Sequence, residues 1–564
     1  MPFSELFQQN GYSTMTQSPS LATLSSRLSA AVRRLSAVVA ARTAVDTRAL
    51  AAFRIGLGSL LIADLLRRSR SLSAFYTDAG VLPRRALFAD YPEVYSLHAL
   101  SGETWAVASL FAVAGVVALA LLVGYRTRLA TVVSWVLLLS LQARNPMVLN
   151  AGDALLAMLL FWGVFLPLGS RWSVDALRRA DAGGGPEADS AGTPAPDSET
   201  GRRRGTAVAT VASMGVLLQM LVMYVTNAVH KLEGDLWLGG EAVAYVMQAD
   251  HFTYHLGNHL GQFPALLRAA TFVWVGLLFA SPLLIVLTGV PRAAVASLFV
   301  GTHLGMAATM RIDLFPVISV VGFLPFFQTP VWDAAERALD RFGPSAILSR
   351  WRARLESAGG TLASLDASLS RPTRNGRLAG LGDGVRAGVD RGRPLFSTVV
   401  PVCFVVLIVL SSAQSVGYGE VPDPGEEVLE VVEMDQHWQM FAPEPVRTTR
   451  WFAAPGTLEN GSERDVLHDG AVSLDRPPNV DETYPTARWR KYLSNVESGA
   501  NENHRSYLAN YLCEEWNRTH ATDVENVTVY QLYERTDPYN GTVLADGRFE
   551  LIEYDCSGEF VQND

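Results

Sequence analysis

Nine apolar runs dominate what this chain can fold into, at about 50–66, 104–124, 128–143, 152–168, 206–229, 267–290, 293–310, 313–328 and 396–414. A membrane-spanning helix needs ~20 predominantly apolar residues, and flanking residues extend the shorter runs. Only 18% of the 564 residues are charged and 49% are hydrophobic, with a mean hydropathy of +0.17. A soluble domain usually carries about 25% charged residues. The expectation is a mainly α fold, a polytopic helical membrane domain of about nine spans. A β-rich extracytoplasmic C-terminal domain with a helical insert follows it. The composition excludes disorder, collagen-like architecture and a small disulfide scaffold. A net charge of -9 without a basic aromatic patch speaks against nucleic acid as a partner.

Charge is unevenly placed. From Ser415 onward there are 29 acidic against 11 basic residues, a net of -18, so the remainder carries about +9. Four N-x-[ST] sequons, at Asn460, Asn517, Asn526 and Asn540, lie in that acidic tail and are expected glycosylation sites on an extracytoplasmic face. Cys513 and Cys556 can form a disulfide there, or stand as free thiols. With nine spans and the N-terminus inside, the arginine-rich 169–205 and 329–395 loops fall on the cytoplasmic side, as the positive-inside rule asks. The 67–103 loop is basic as well and falls outside. The organisation expected is a cytoplasmic lead-in over 1–45, without a removable signal peptide, and a membrane domain over 46–332. An Arg-rich cytoplasmic loop over 333–395, a last span over 396–414 and an acidic domain over 415–564 complete it. Residues 181–204 and 371–395 read as low-complexity linkers. In the tail, EEVLEVVEM, RTTRWFAAPGTL, ENVTVYQLYE and RFELIEYDC read as strands, and 486–518 as an amphipathic helix.

Lys231 and Lys491 are the chain's two lysines among 46 basic residues; every other one is arginine. Acid excess with scarce lysine suggests a halophilic source. Lys231 ends an apolar helix beside His230, Glu233 and Asp235. A charge at that depth is costly and marks a functional candidate. A snorkelling anchor could equally be arginine, whereas a proton-transfer group could not, because arginine does not deprotonate. His303, within an apolar run, is a ligand-contacting residue or a helix-packing histidine. Asp153 is a functional acid or a first-turn acid that complements the helix dipole. Arg311 and Asp313 are expected to pair. His251, His255 and His259 have helical i, i+4 spacing, but Gly257 and Asn258 weaken a helix there and no metal site is expected. No nucleotide-binding or common hydrolase motif is present.

Longer segments carry a resemblance. AFRIGLGSLLIADLLRRSRSLSAFYTDAGVLPR (52–84), NPMVLNAGDALLAMLLFWGVFLPLGSRWSVDAL (145–177) and VHKLEGDLW (229–237) resemble the horizontally transferred transmembrane (HTTM) domain. That family includes the vitamin K-dependent γ-glutamyl carboxylases. The similarity runs from about Ala51 to Trp332, and QHWQMFAPEP (436–445) and RWRKYL (488–493) resemble tail motifs of microbial members. The resemblance implies that Lys231 is the base that deprotonates a reduced menaquinone or vitamin K-like quinol. In the animal enzymes the product of quinol and oxygen then removes a glutamate γ-proton, and carbon dioxide captures the carbanion. The resemblance also implies a role for His303, and substrate contact by His230, Asn150 and Trp237. The animal enzymes carry a histidine where this chain has Gly152, and Asp153 is the candidate to take its role. That departure leaves glutamate carboxylation open. Two functions follow as expectations. One is a quinol-dependent carboxylase or epoxidase acting on a surface or secreted protein held by the tail. The other is a non-catalytic scaffold that binds lipid or quinone. Membrane lipids are expected partners of both.

Overall fold

In the computed structural model, which describes residues 21–181, 207–342 and 379–562, every apolar run carries a helix. The helices are α1 (Leu21–Thr43), α2 (Thr47–Ser69), α3 (Thr104–Val123), α4 (Thr127–Arg144) and α5 (Ala151–Phe165). They continue as α6 (Val211–Leu232), α7 (Pro264–Ala280), α8 (Gly289–Thr309), α9 (Phe315–Phe323), α10 (Thr329–Phe342) and α11 (Ala379–Ser415). Shorter helical turns connect them.

Local chemistry marks where helices begin and end. The Asp46 carboxylate accepts from Arg48 N at the start of α2. Asn150 and Asp153 form a reciprocal capping box on α5, and Thr210 and Ser213 form one on α6. Gly124 closes α3 at φ +73°, a left-handed position that favours glycine. The pair β1 (Val45–Asp46) and β2 (Ala207–Val208) ties the starts of α2 and α6 together.

Four helical segments are long and apolar enough to cross a membrane: Thr47–Ser69, Thr104–Val123, Val211–Leu232 and Phe396–Ser415. The pair Phe315–Phe326 and Thr329–Leu339, bent by 104°, makes a fifth if it counts as one span. Ala151–Phe165 and Pro264–Ala280 are apolar but shorter. Nearly all of the first expected linker (182–204) and much of the Arg-rich loop (343–378) lie outside the described residues. Residues 379–395, expected as linker, instead extend the last helix.

The tail contains α12 (Asp423–Val431), α13 (Ala487–Val496), α14 (Asn503–Thr519) and an antiparallel sheet on which α14 packs. Its strands are β3 (Thr449–Ala453), β4 (Pro455–Leu458), β5 (Glu463–Asp465), β6 (Val524–Thr536) and β7 (Val543–Asp555). β6 is the spine. It pairs with β7 along one edge and with β3 and then β4 along the other. EEVLEVVEM, expected as a strand, is mostly helix. Pro422 precedes its first turn, Asp423 and Glu426 lie in that turn, and Leu429 is the residue it buries. The expected helix over 486–518 is broken at Gly499–Asn501. Cys513 of α14 is joined to Cys556, just past β7, with Cα atoms 5.6 Å apart.

The tail does not form a core of its own. Phe75, Tyr76, Phe111 and Leu141 from the helical half pack in one buried cluster with Trp451, Trp489, Tyr492 and Val527 of the tail. Met434 and Trp438 are buried among the apolar side chains of α2, α5 and α6.

Candidate functional site

A cavity of about 650 Å³ lies where the helices meet the tail. That falls in the usual range for small-molecule sites, ~300–1,000 Å³. Apolar side chains make most of its wall, among them Trp274, Met306, Phe315 and Phe441. Lys231, His303, Asn150 and Trp237 all line it. His230 and Asp153 do not.

Lys231 comes from the last turn of α6 and is 3% exposed. Its Nζ donates to the carbonyl oxygens of Met440 (2.6 Å) and Phe441 (3.2 Å), and lies 3.9 Å from the centre of the Trp237 ring. Among the described residues no carboxylate is within ion-pair distance of it; neither Glu233 nor Asp235 neutralises it. The carbonyls belong to the QHWQMFAPEP segment, which runs alongside α6 in the same direction. Asn227 donates to the carbonyls of Trp438 (2.9 Å) and Met440 (3.1 Å). Gln219 donates to Gln436 (2.7 Å), and Trp237 Nε1 to Phe441 O (2.9 Å). Phe441 holds φ +51°, an uncommon left-handed conformation for a non-glycine residue, and its carbonyl is one of the two that meet Lys231. Gly234 of the HKLEGDLW motif is where the segment comes closest, since a Cβ there would overlap the Pro443 carbonyl.

His303, from α8, is 1% exposed. Its Nδ1 is 2.9 Å from the Phe299 carbonyl, which only accepts, so Nδ1 carries the proton. Nε2 then accepts from the Tyr224 hydroxyl at 3.1 Å. Both ring nitrogens are engaged, so a ligand meets His303 through Tyr224 or displaces it. Tyr224 itself lines the cavity. Sequence reasoning missed it, although Tyr224, Asn227 and Lys231 stand at i, i+3 and i+7, one face of an apolar helix.

The expected convergence of Asp153 with Lys231 and His303 is not found. Asp153 is held in a buried charge cluster at the tail-facing end of the bundle. Its carboxylate meets Arg68 at 2.6 Å, Arg488 at 2.9 Å and the Asn150 backbone N–H at 2.9 Å. Asp64 bridges the same two arginines, at 2.7 Å each. Asp313 adds contacts to Arg67 (2.6 Å) and Arg488 (3.6 Å). Arg311 and Asp313 therefore do not pair. Arg311 donates instead to tail carbonyls, including Tyr484 at 2.9 Å. Arg488 is the first basic residue of RWRKYL, so this tail motif is bolted into the helices by charge. Gly152 sits against Phe315, whose Cα would be 3.1 Å from an added Cβ, which leaves little room for the histidine of the animal enzymes.

His230 is buried on another side of α6, and its Nε2 has no hydrogen-bond partner among the described residues. Asn150 is half-buried at the cavity wall with its Oδ1 already accepting from Gly152 N at 2.8 Å. His251 lines the cavity, and burial, then Arg490 and Arg450, hold its pKa well below the usual value. His255 and His259 fall in turns and a single helical turn rather than on one long face. Among the described residues no group of three or more His, Cys, Asp or Glu could hold a metal ion. Asn460, Asn526 and Asn540 are exposed, whereas Asn517 is half-buried with its Oδ1 accepting from Val524 N at 2.8 Å.

Neither family models, nor curated proteins, nor solved structures give any match to this chain.

Proposed function

We propose that this chain is an integral-membrane enzyme that binds a reduced menaquinone-like quinol in the cavity and uses Lys231 as its proton-transfer group. The observation that carries the reading is the Lys231 amine, enclosed in a largely apolar cavity without a counter-ion among the described residues. The wall suits the proposed ligand. Trp274, Met306 and Phe315 would take an apolar ring, while Lys231, Asn227 and Tyr224 offer polar contacts. A bound quinol would supply acidic hydroxyls and reducing equivalents. Lys231, without a carboxylate to hold its charge, would accept a proton and be oriented by the Met440 and Phe441 carbonyls. The hydroxyl of Tyr224, kept in place by His303, would position the ligand.

The proposal includes a cell-membrane location with the N-terminus cytoplasmic and the tail extracytoplasmic, where a protein substrate would dock. It also rests on the likeness of HKLEGDLW, QHWQMFAPEP and RWRKYL to the HTTM and carboxylase family; all three motifs supply residues to one cavity. A second reading has its own observation. Two carbonyls and an indole face already occupy Lys231, which suits a clamp that fastens the tail in a non-catalytic quinone- or lipid-binding scaffold.

The test is purified protein in nanodiscs, given reduced menaquinone and oxygen. Turnover of the quinol that vanishes in Lys231→Arg, with menaquinone binding retained, supports the enzyme. Binding without turnover favours the quinone-binding scaffold, and no menaquinone binding sinks the enzyme and leaves only a lipid-binding scaffold. Mass spectrometry of envelope proteins with and without the gene would identify the modified substrate.

A further inference from the structure

Charge along the cavity wall is unbalanced. Its three carboxylates are all answered: Asp313 by Arg67 at 2.6 Å, Glu444 by Arg447 at 2.6 Å, and Glu497 by Arg450. Three cations on the same wall are not. Lys231, Arg490 and Lys491 have no ion pair among the described residues. Arg490 and Lys491 are neighbours on α13, at the tail end of the cavity. Arg490 is fixed by its stack on the Phe252 ring, 3.9 Å away, and by donation to the His251 carbonyl at 3.0 Å. Lys491 makes no hydrogen bond among the described residues. Both lysines of the whole chain thus face one cavity.

Cations withdrawn from water are normally paired, and an unpaired cluster is costly unless an anion completes it. Arg450 and Glu497 line both this cavity and an adjoining cleft of about 510 Å³ bordered by Arg505 and Tyr533.

On the reading of this cavity as a ligand site, we infer that Arg490 and Lys491 form an oxyanion-binding subsite for the carboxylate or phosphate group of a second ligand. The apolar wall around Trp274 and the cationic wall on α13 then serve different ligand groups. Because Lys491 is half-buried and makes no hydrogen bond or ion pair among the described residues, replacing it removes the anion's partner without breaking a polar contact seen there.

The experiment uses the full chain in nanodiscs of neutral phosphatidylcholine. Succinate and inorganic phosphate are titrated by calorimetry, with menaquinone binding measured separately on the same samples. A parallel series carries phosphatidylglycerol in the bilayer, so that a lipid headgroup source is separated from a soluble one. The expected result is anion binding weakened at least tenfold by Lys491→Gln and restored to within about threefold by Lys491→Arg, with menaquinone affinity unchanged. Dependence on phosphatidylglycerol, lost in Lys491→Gln, assigns the same subsite to a lipid headgroup. Anion binding without menaquinone binding keeps the subsite and sinks the quinol reading. Wild-type protein that binds none of these oxyanions, or Lys491→Gln that binds them as wild type does, overturns the inference.

Discussion

Removing one carboxylate from the charge cluster at the tail-facing end of the bundle leaves Arg68 and Arg488 short of an anion. Breaking a buried pair from one side typically costs ~3–5 kcal/mol. Asp153→Asn should therefore lower the unfolding temperature in detergent and reduce the yield of folded protein. A folded, normally stable Asp153→Asn that lost only turnover would return Asp153 to the chemistry. Glu433 offers a pH test. Burial, with the negative charges of Asp153 and Asp435, pushes its pKa up to about 7. The folded chain then keeps a proton that the unfolded chain releases near the ordinary glutamate value. Its contribution is fully favourable below ~4.5 and is lost as pH rises through about 7, at most about 3 kcal/mol in all. Glu433→Gln should raise thermal stability at pH 8 relative to wild type and leave little difference at pH 4.5. Equal pH dependence in the two proteins would show that Glu433 is not the group. At this scale the sequence was readable where composition is sparse: lysine scarcity singled out Lys231. It was not readable for Asp153, because a capping acid, a cluster acid and a catalytic acid look alike until Arg488, 335 residues away, is seen beside it.

Helices written as apolar runs could be found because period and burial coincide along one segment. The tail elements depend on neighbours distant in sequence. Val428 to Val432 is apolar enough for a strand, yet the Pro422 start and the burial of Leu429 make it mostly helix. The motif QHWQMFAPEP has no regular structure at all, and its role as a strap along α6 exists only through contacts with Gln219, Asn227 and Lys231. The disulfide is the clearest test at this scale. It joins α14 to the end of β7 across 43 residues of sequence. Chain entropy for a loop of that length corresponds to about 4 kcal/mol, and measured values usually run ~2–4 kcal/mol. Cys513→Ser with Cys556→Ser should lower the midpoint of thermal unfolding, as should reduction of the wild-type protein. Menaquinone binding at 25 °C should persist, since neither cysteine lines the cavity. Unchanged stability in the double variant would mean that α14 is held by its packing on β6 and β7 alone.

For the whole molecule, orientation follows from which elements share an end of the bundle. The contacts at the two ends of the bundle support an alternating path. Arg68 of α2, Asp153 of α5 and Lys231 of α6 all meet tail residues or their partners. Arg48 instead meets Asp333 and Glu336 of α10 at the opposite end, and Arg292 donates there to the Arg42 carbonyl. The basic 67–103 loop argues against an extracytoplasmic tail, although three of its five arginines are held in ion pairs. Arg67 is paired with Asp313, Arg68 with Asp64 and Asp153, and Arg84 with Asp78. The rule counts basic residues rather than net charge, and the arginine-rich 169–205 and 329–395 loops on the other face outweigh the five arginines of this one. The tail should then be reachable from outside the cell, and α10 should not be. A protease site inserted at Gly541, in the exposed turn between β6 and β7, should be cut in intact cells. A site near Leu339, exposed on α10, should be cut only after the membrane is opened. Cleavage at Leu339 with protection at Gly541 would invert the orientation. It would also place Lys231, which shares the tail's end of the bundle, at the cytoplasmic face, where a secreted protein could not reach it.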